Sequence, residues 1–420
     1  MKKIYASLGA AALSAAGIQT LQAQPVDLSK SWSVGVLLRG FYDDNVNTVP
    51  SSANPTESFG FEVGPMLSLS LPLEQTTIIG SYNYTYKYYE KRIHDRADHD
   101  DNTHTLAAQI QHNFSERVMA SVRNSFVIGQ EPDVLRIGNS ADATFQRISG
   151  DNIRNFGAVT LNAQISRPFG VEVGYANALY DYADDSDGGF SARLDRLEHH
   201  VHIDGRWAAM RDTIVVVGYA FSLVDYTADL LIAPPLPFES DSRNNRSHYV
   251  YAGVEHNFLA NLVGTLRAGA RFNDYYKSPN DESEASPYVQ ATLSYQYAPE
   301  SRIEVGAAHD RRSTDQFSFD GSSLTLDADS TVAYVSLTHR ILPKLFAGVV
   351  GNFQYATFNG GLLDNEDQYY FGAGVNLEYR FNRHFSANVG YNYDRLESSG
   401  GVAGGDYDRN RVYIGAMFVY

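Results

Sequence analysis

The chain has 420 residues, 13% of them aromatic, with 33 Lys and Arg against 49 Asp and Glu, a formal net charge of −16 and no cysteine. A charge of that sign excludes a phosphate-backbone partner, so no nucleic acid is expected. No run of eighteen apolar residues occurs, which excludes a helical membrane protein. Without disulfides the chain needs a large core or a continuous backbone ladder to hold it.

Lys2 and Lys3 precede a small, apolar stretch from Ile4 to Ile18 that is too short to span a bilayer, and Leu21-Gln22-Ala23 follows as a cleavage site. This predicts a cleaved signal peptide over 1–23 and one mature domain over 24–420. From Trp32 onward the pattern reads as strands: 32–43, 56–71, 76–92, 102–114, 117–129, 151–166, 170–184, 192–207, 213–229, 243–258, 262–277, 285–297, 302–313, 329–341, 345–359, 367–381, 385–396 and 408–420. Eighteen is the expected count, with sixteen as the fallback, because Pro287 and the stretch after Arg312 blur the twelfth and thirteenth strands. The strands are far longer than the about five or six residues usual in globular sheets and match the ~10 residues a tilted strand needs to cross a bilayer.

Connections alternate in length. Short ones such as Leu71–Glu74, Phe114–Arg117, Phe258–Asn261 and Phe381–His384 interleave with long polar ones such as Asp44–Pro55, Gln130–Gly150, Leu231–Ser242 and Thr314–Ala328. Short turns on one side and long loops on the other are the habit of bacterial outer-membrane barrels.

Alternation along the strands gives two faces of opposite character. In the sixteenth, Tyr369, Phe371, Val375, Leu377 and Tyr379 oppose Tyr370, Asn376, Glu378 and Arg380. In the eighth, Leu197, Val201, Ile203 and Trp207 oppose Glu198, His200, His202, Asp204 and Arg206. Closed with the apolar face outward, such strands make an antiparallel transmembrane β-barrel with a polar interior, wide enough at eighteen strands for water. The expected pore-lining residues are therefore Glu198, His200, His202, Asp204, Arg206, Asn376, Glu378 and Arg380. Too few residues precede the first strand to form a plug, and the connection Gln130–Gly150 is the candidate for an inward constriction. The acidic excess suggests a mild preference for cations.

Three clusters are weighed and set aside. His199, His200 and His202 look like metal ligands, but on a strand only His200 and His202 share a face, so no metal or other cofactor is expected. Asp95, Asp98, Asp100, Asp101 and the run Asp184–Gly188 lack calcium-loop spacing and read as solvated loops. Tyr82, Tyr84, Tyr86 and Tyr88 share one face, opposite Lys87, and should face lipid. No nucleophile elbow or zinc-protease motif occurs, and no enzyme activity is expected.

The chain finishes Tyr413-Ile414-Gly415-Ala416-Met417-Phe418-Val419-Tyr420. Tyr413, Gly415, Phe418 and Tyr420 resemble the carboxyl-terminal signal that outer-membrane barrels present to their assembly machinery. The first strand closes on Arg39-Gly40-Phe41-Tyr42-Asp43-Asp44-Asn45-Val46, and this ending resembles the Putative beta-barrel porin 2 family of Gram-negative outer-membrane proteins. The resemblance implies a porin-type barrel and brings neither substrate nor catalytic residues. The expectation is a channel for passive diffusion of small hydrophilic solutes, in contact with outer-membrane lipid and lipopolysaccharide, with a homo-oligomer left open. The alternative is a barrel for exopolysaccharide export or surface assembly.

Overall fold

The computed structural model describes residues 30–92, 99–130, 150–278, 282–321, 323–399 and 406–420. The expected signal peptide and most of the connection Gln130–Gly150 lie outside the described residues, as do His94, Asp95 and Asp98.

The described chain is one sheet of eighteen antiparallel strands. In order they are β1 (Trp32–Asp43), β2 (Ser58–Pro72), β3 (Thr76–Tyr89), β4 (Asp100–Asn113), β5 (Val118–Gly129), β6 (Asn152–Gln164), β7 (Phe169–Tyr182), β8 (Arg196–Met210), β9 (Thr213–Tyr226), β10 (Asn245–Leu259), β11 (Leu262–Tyr275), β12 (Glu282–Ala298), β13 (Ser301–Arg312), β14 (Asp327–Leu342), β15 (Leu345–Asn359), β16 (Asp367–Arg380), β17 (Phe385–Ser398) and β18 (Tyr407–Val419). Each pairs with its neighbours in sequence. The sheet closes because β1 also pairs with β18, from Gly35↔Val419 to Asp43↔Arg411. Closure satisfies the backbone groups that an edge strand would expose, and only closed barrels and helices meet that condition in lipid.

The first described residues and Tyr420 lie at one end of the barrel, with the short turns. The longer connections lie at the other, called here the far mouth. Most strand ends fall within three residues of the sequence expectation, and two differences stand out. Phe190–Leu194 is a single helical turn, α1, so β8 starts at Arg196 rather than at 192. Pro287 does not interrupt β12, where it stands opposite Ala270.

The two faces separate as the alternation predicts. Phe371, Val375 and Leu377 of β16 are exposed on the outside, whereas Tyr370 is buried on the inside. Leu106 and Ile110 of β4 are also exposed outside, and Tyr82 stands opposite Leu106 on that face, so the tyrosine ladder of β3 faces outward. At the carboxyl terminus Ile414, Phe418 and Tyr420 point outward and Met417 inward.

On the inner face, aromatic rings lie over glycines of the adjacent strand. Gly218, Gly306 and Gly390 stand opposite Tyr251, Tyr334 and Tyr413. A Cβ on each glycine would come within 2.3 Å of the facing ring. Such pairs let the wall curve while restoring the packing a glycine gives up.

Candidate functional site: the inner wall and its far mouth

The inward residues of β8 sit in one charge network with β7, β10 and β11. Asp204 is fully buried, accepts a hydrogen bond from the Tyr251 hydroxyl at 2.6 Å and pairs with Arg267 at 3.0 Å. Tyr251 reaches Asp204 from two strands away because Gly218 of β9 stands between them without a side chain. Arg206 also spans β9, donating to both Glu255 oxygens, at 2.9 and 2.5 Å, above fully buried Val216. His202 and Arg206 approach Glu172 at 3.4 and 3.7 Å. Glu198 pairs with Arg196 at 2.7 Å, and the His200 ring packs edge-on to Tyr249.

All five residues expected on this strand therefore occupy the inner face. Their partners Glu172, Tyr251, Glu255 and Arg267 were not among the expected residues, since each lies on another strand and no local pattern ties it to β8. Glu172, His202 and Asp204 bring ligand-type atoms within 4.8 Å of one another. A cation there would have to displace two guanidinium groups already paired with the carboxylates.

The other three expected residues face inward on β16. Asn376 is nearly buried, and Arg380 pairs with Glu378 at 3.1 Å and stacks over Phe346. The same compensation recurs around the wall. Arg39 pairs with Glu62, Arg411 with Asp394, Arg271 with Asp310, and Arg409 donates through Nε to both oxygens of Asp43 at 2.9 Å. The wall thus carries paired charges of both signs, and the chain's acidic excess does not extend to it. Arg123 on β5 is an exception: among the described residues its guanidinium has no ion-pair partner, although Glu172 is near enough to act on it electrostatically.

Loops at the far mouth fold onto this inner face. Leu194 of α1 packs on Tyr180 and Tyr182, which face inward on β7, with Phe190 beside them. Leu324 and Leu326 pack on Tyr275 of β11, joined by Phe238, Phe317 and Phe319. Leu363 packs against Ala328, Ala356 and Phe358. Gly360 and Gly361 both have positive φ, and a Cβ at Gly360 would meet the Leu324 carbonyl at 2.1 Å, so this turn requires glycine.

One side chain ties three of these loops together. Arg243, fully buried at the end of the 3₁₀ turn Ser240–Arg243, donates to the carbonyls of Arg193 and of Thr314, the latter at 3.3 Å, and lies over the Tyr226 ring at 4.2 Å. Burial lowers its pKa. Phe238 of the β9–β10 loop and Phe319 of the β13–β14 loop also meet, 4.7 Å between centroids. These contacts form a chord from the β9–β10 loop to the β13–β14 loop, passing over β10–β13. Sequence analysis placed the inward loop at Gln130–Gly150, which is mostly outside the described residues. The chord is built from other loops.

Asp184 and Asp185 hold their own loop in shape. Asp184 accepts from Ser186 Oγ and the Phe190 N–H, and Asp185 from Ser191 Oγ. Asp101 pairs with Arg92. His199 points outward, away from His200 and His202.

No curated protein matches the chain. Among solved structures it is similar to Pseudomonas aeruginosa OpdK, crystallised with vanillate, at 13% identity and TM-score 0.45, over 93% of this chain and 99% of that one. Pseudomonas aeruginosa OccK2 (OpdF) in complex with glucuronate is similar at 12% and 0.43, over 92% and 98%. Acinetobacter baumannii OccAB4 is similar at 12% and 0.43, over 93% and 99%. Residues 328–419, from the start of β14 to the end of β18, match the family described as Putative beta-barrel porin 2.

Proposed function

We propose that the chain is a porin-type channel of the bacterial outer membrane through which small hydrophilic solutes diffuse. The observation that carries this reading is the closed cylinder of strands with an apolar outside and a charged inside. A soluble barrel would present the opposite arrangement, and lipid is the environment that an apolar outer wall without a partner layer requires. The short turns then face the periplasm, and the far mouth faces outside among lipopolysaccharide. A cleaved signal peptide delivers the chain, and the assembly machinery reads Tyr413, Gly415, Phe418 and Tyr420.

Glu198, His200, His202, Asp204, Arg206, Asn376, Glu378 and Arg380 line the passage in this reading. Their charges are matched by arginines or carboxylates on the same or nearby strands, so the passage sieves by size and discriminates weakly by sign. This replaces the cation preference suggested by the net charge. The loops around Arg243 narrow the outer mouth.

The test is a planar-bilayer recording of the detergent-purified mature chain. Steady, ohmic steps with a small reversal potential in a salt gradient support the reading. Insertion without conductance would transfer it to a gated export barrel. A chain that stays soluble in plain buffer and never inserts would overturn it.

A further inference from the structure

The outward-facing strand histidines follow a rule that the channel reading does not use. His104, His112, His199, His248, His256, His309 and His339 each stand on the apolar outer face of their strand. In every one Nδ1 lies 2.7–2.9 Å from a Tyr or Thr hydroxyl. For His104, His199 and His248 the partner is Tyr82, Tyr175 or Tyr219. For His112, His256 and His309 it is Thr76, Thr213 or Thr331. Tyr297 reaches His339 across β13.

Their heights are as regular as their contacts. His104, His199, His248 and His309 lie near the far-mouth ends of their strands, and His112, His256 and His339 near the turn ends. On β4 and on β10 the two histidines are eight positions apart, and on β14 His339 is eight positions from Thr331, the partner of His309. Eight residues of strand span ~27 Å, or about 21 Å of height at a tilt of ~40°. This approaches the apolar band of an outer-membrane barrel, ~25 Å tall. Between the two levels the outward residues are Leu106, Ala108 and Ile110 on β4 and Val250, Ala252 and Val254 on β10. Nothing in that interval is polar.

In the tautomer where the hydroxyl donates to Nδ1, the ring proton stands on Nε2, at the opposite edge of the imidazole. Each ring is then held by the protein at one edge and offers a donor at the other, at the depth where apolar surface ends.

We propose that these histidines form two belts that bind the phosphate groups of lipids, one belt in each leaflet. The Nε2–H donates to a phosphate oxygen, and the cross-strand hydroxyl fixes the ring for that contact. The inference rests on the outer-membrane reading, since it requires a bilayer around the barrel.

The experiment is solid-state NMR of the full chain, labelled with ¹⁵N-histidine and reconstituted in phosphatidylcholine bilayers, reading dephasing of Nε2 by lipid ³¹P. Dephasing of the outward rings is the expected result. The variant H104Q/H199Q/H248Q/H309Q should lose the far-mouth share of that signal and keep the share from His112, His256 and His339. Transfer to a sugar-headgroup lipid without phosphate should abolish it. A chain that inserts and conducts but shows no ³¹P dephasing overturns this inference and leaves the channel reading standing. A chain that never inserts overturns both.

Discussion

Replacing Arg243 by Ala should unlatch the far mouth while leaving the barrel intact. The side chain supplies a charged donor to two loop carbonyls, those of Arg193 and Thr314, and a cation over the ring of Tyr226. Hydrogen bonds from a charged group contribute about 1.5–3 kcal/mol each, so about 3–6 kcal/mol of contact is lost. Against that, the variant no longer keeps a fully buried guanidinium out of water, a cost of several kcal/mol per ion. The loops should therefore loosen by a net of about 1–2 kcal/mol, a roughly 5- to 30-fold rise in the open population. Apart from the ring of Tyr226 at the end of β9, these contacts lie outside the strand ladders, so the melting transition of the barrel should hardly move. Single-channel recording should show higher mean conductance with more frequent current fluctuations. Hydrogen exchange should accelerate together in 183–195, 227–244 and 313–321. Arg243→Met separates the two contributions, since it fills the space without donating. If Met tightens the loops, desolvation outweighs the hydrogen bonds. If both variants match the wild type in conductance, noise and exchange, the chord across the mouth does not restrict passage and the reasoning fails.

Gly218→Ala should destabilise the barrel by about 1–3 kcal/mol in urea titration, because the new Cβ would sit 2.3 Å from both Asp204 Oδ1 and the Tyr251 ring, and overpacking of that kind carries such a cost. An unchanged midpoint would mean that Tyr251 swings into the lumen without loss. Arg123→Gln removes a wall charge that has no ion-pair partner among the described residues and should move the reversal potential in a KCl gradient toward cations, by on the order of twofold in permeability ratio. The same substitution at Arg206 leaves Glu255 without its partner and should shift it in the same direction by a similar amount. Burial pushes the Asp195 carboxyl up to about 6, even though it accepts a hydrogen bond from the Tyr182 N–H. With the folded-state pKa raised, the stabilisation belongs to the protonated form, is complete below the ordinary aspartate range and is lost as pH rises through about 6. Protection of the 183–195 amides, relative to their intrinsic exchange rates, should fall over that window in the wild type and stay flat in Asp195→Asn. Phe418→Ala should lower the folded yield in cells while leaving unassisted refolding in detergent unchanged, and an equal loss in both would place the effect in packing against Phe385 rather than in recognition.

Strand positions and side-chain faces were legible because a membrane barrel writes them locally. Each strand must alternate along its whole length, and each turn at the terminal end must be short, so one sequence carries the signal many times over. The departures have local causes. Phe190–Leu194 has the apolar character of a strand start, but Asp184 and Asp185 hold it as a helical turn through Phe190 and Ser191. Pro287 reads as a breaker, yet β12 accommodates it opposite Ala270.

What was not legible is everything that passes between strands. The residues of β8 were placed on the inner face by parity alone, but parity says nothing about which strand supplies a partner. Tyr251 meets Asp204 only because β9 offers Gly218 at that register, and Arg206 meets Glu255 only over Val216. Net charge along the chain is therefore a poor guide to selectivity. Charge on a barrel wall acts through its cross-strand neighbours, and a wall of paired charges presents a weak field whatever the sum along the chain. The same holds outside. Parity separated His199 from His200 and His202. It could not reveal that His199 and six other histidines each face a hydroxyl on another strand, because that fact exists only once the register is set. Information about faces is written along the chain, and information about sites is written across it.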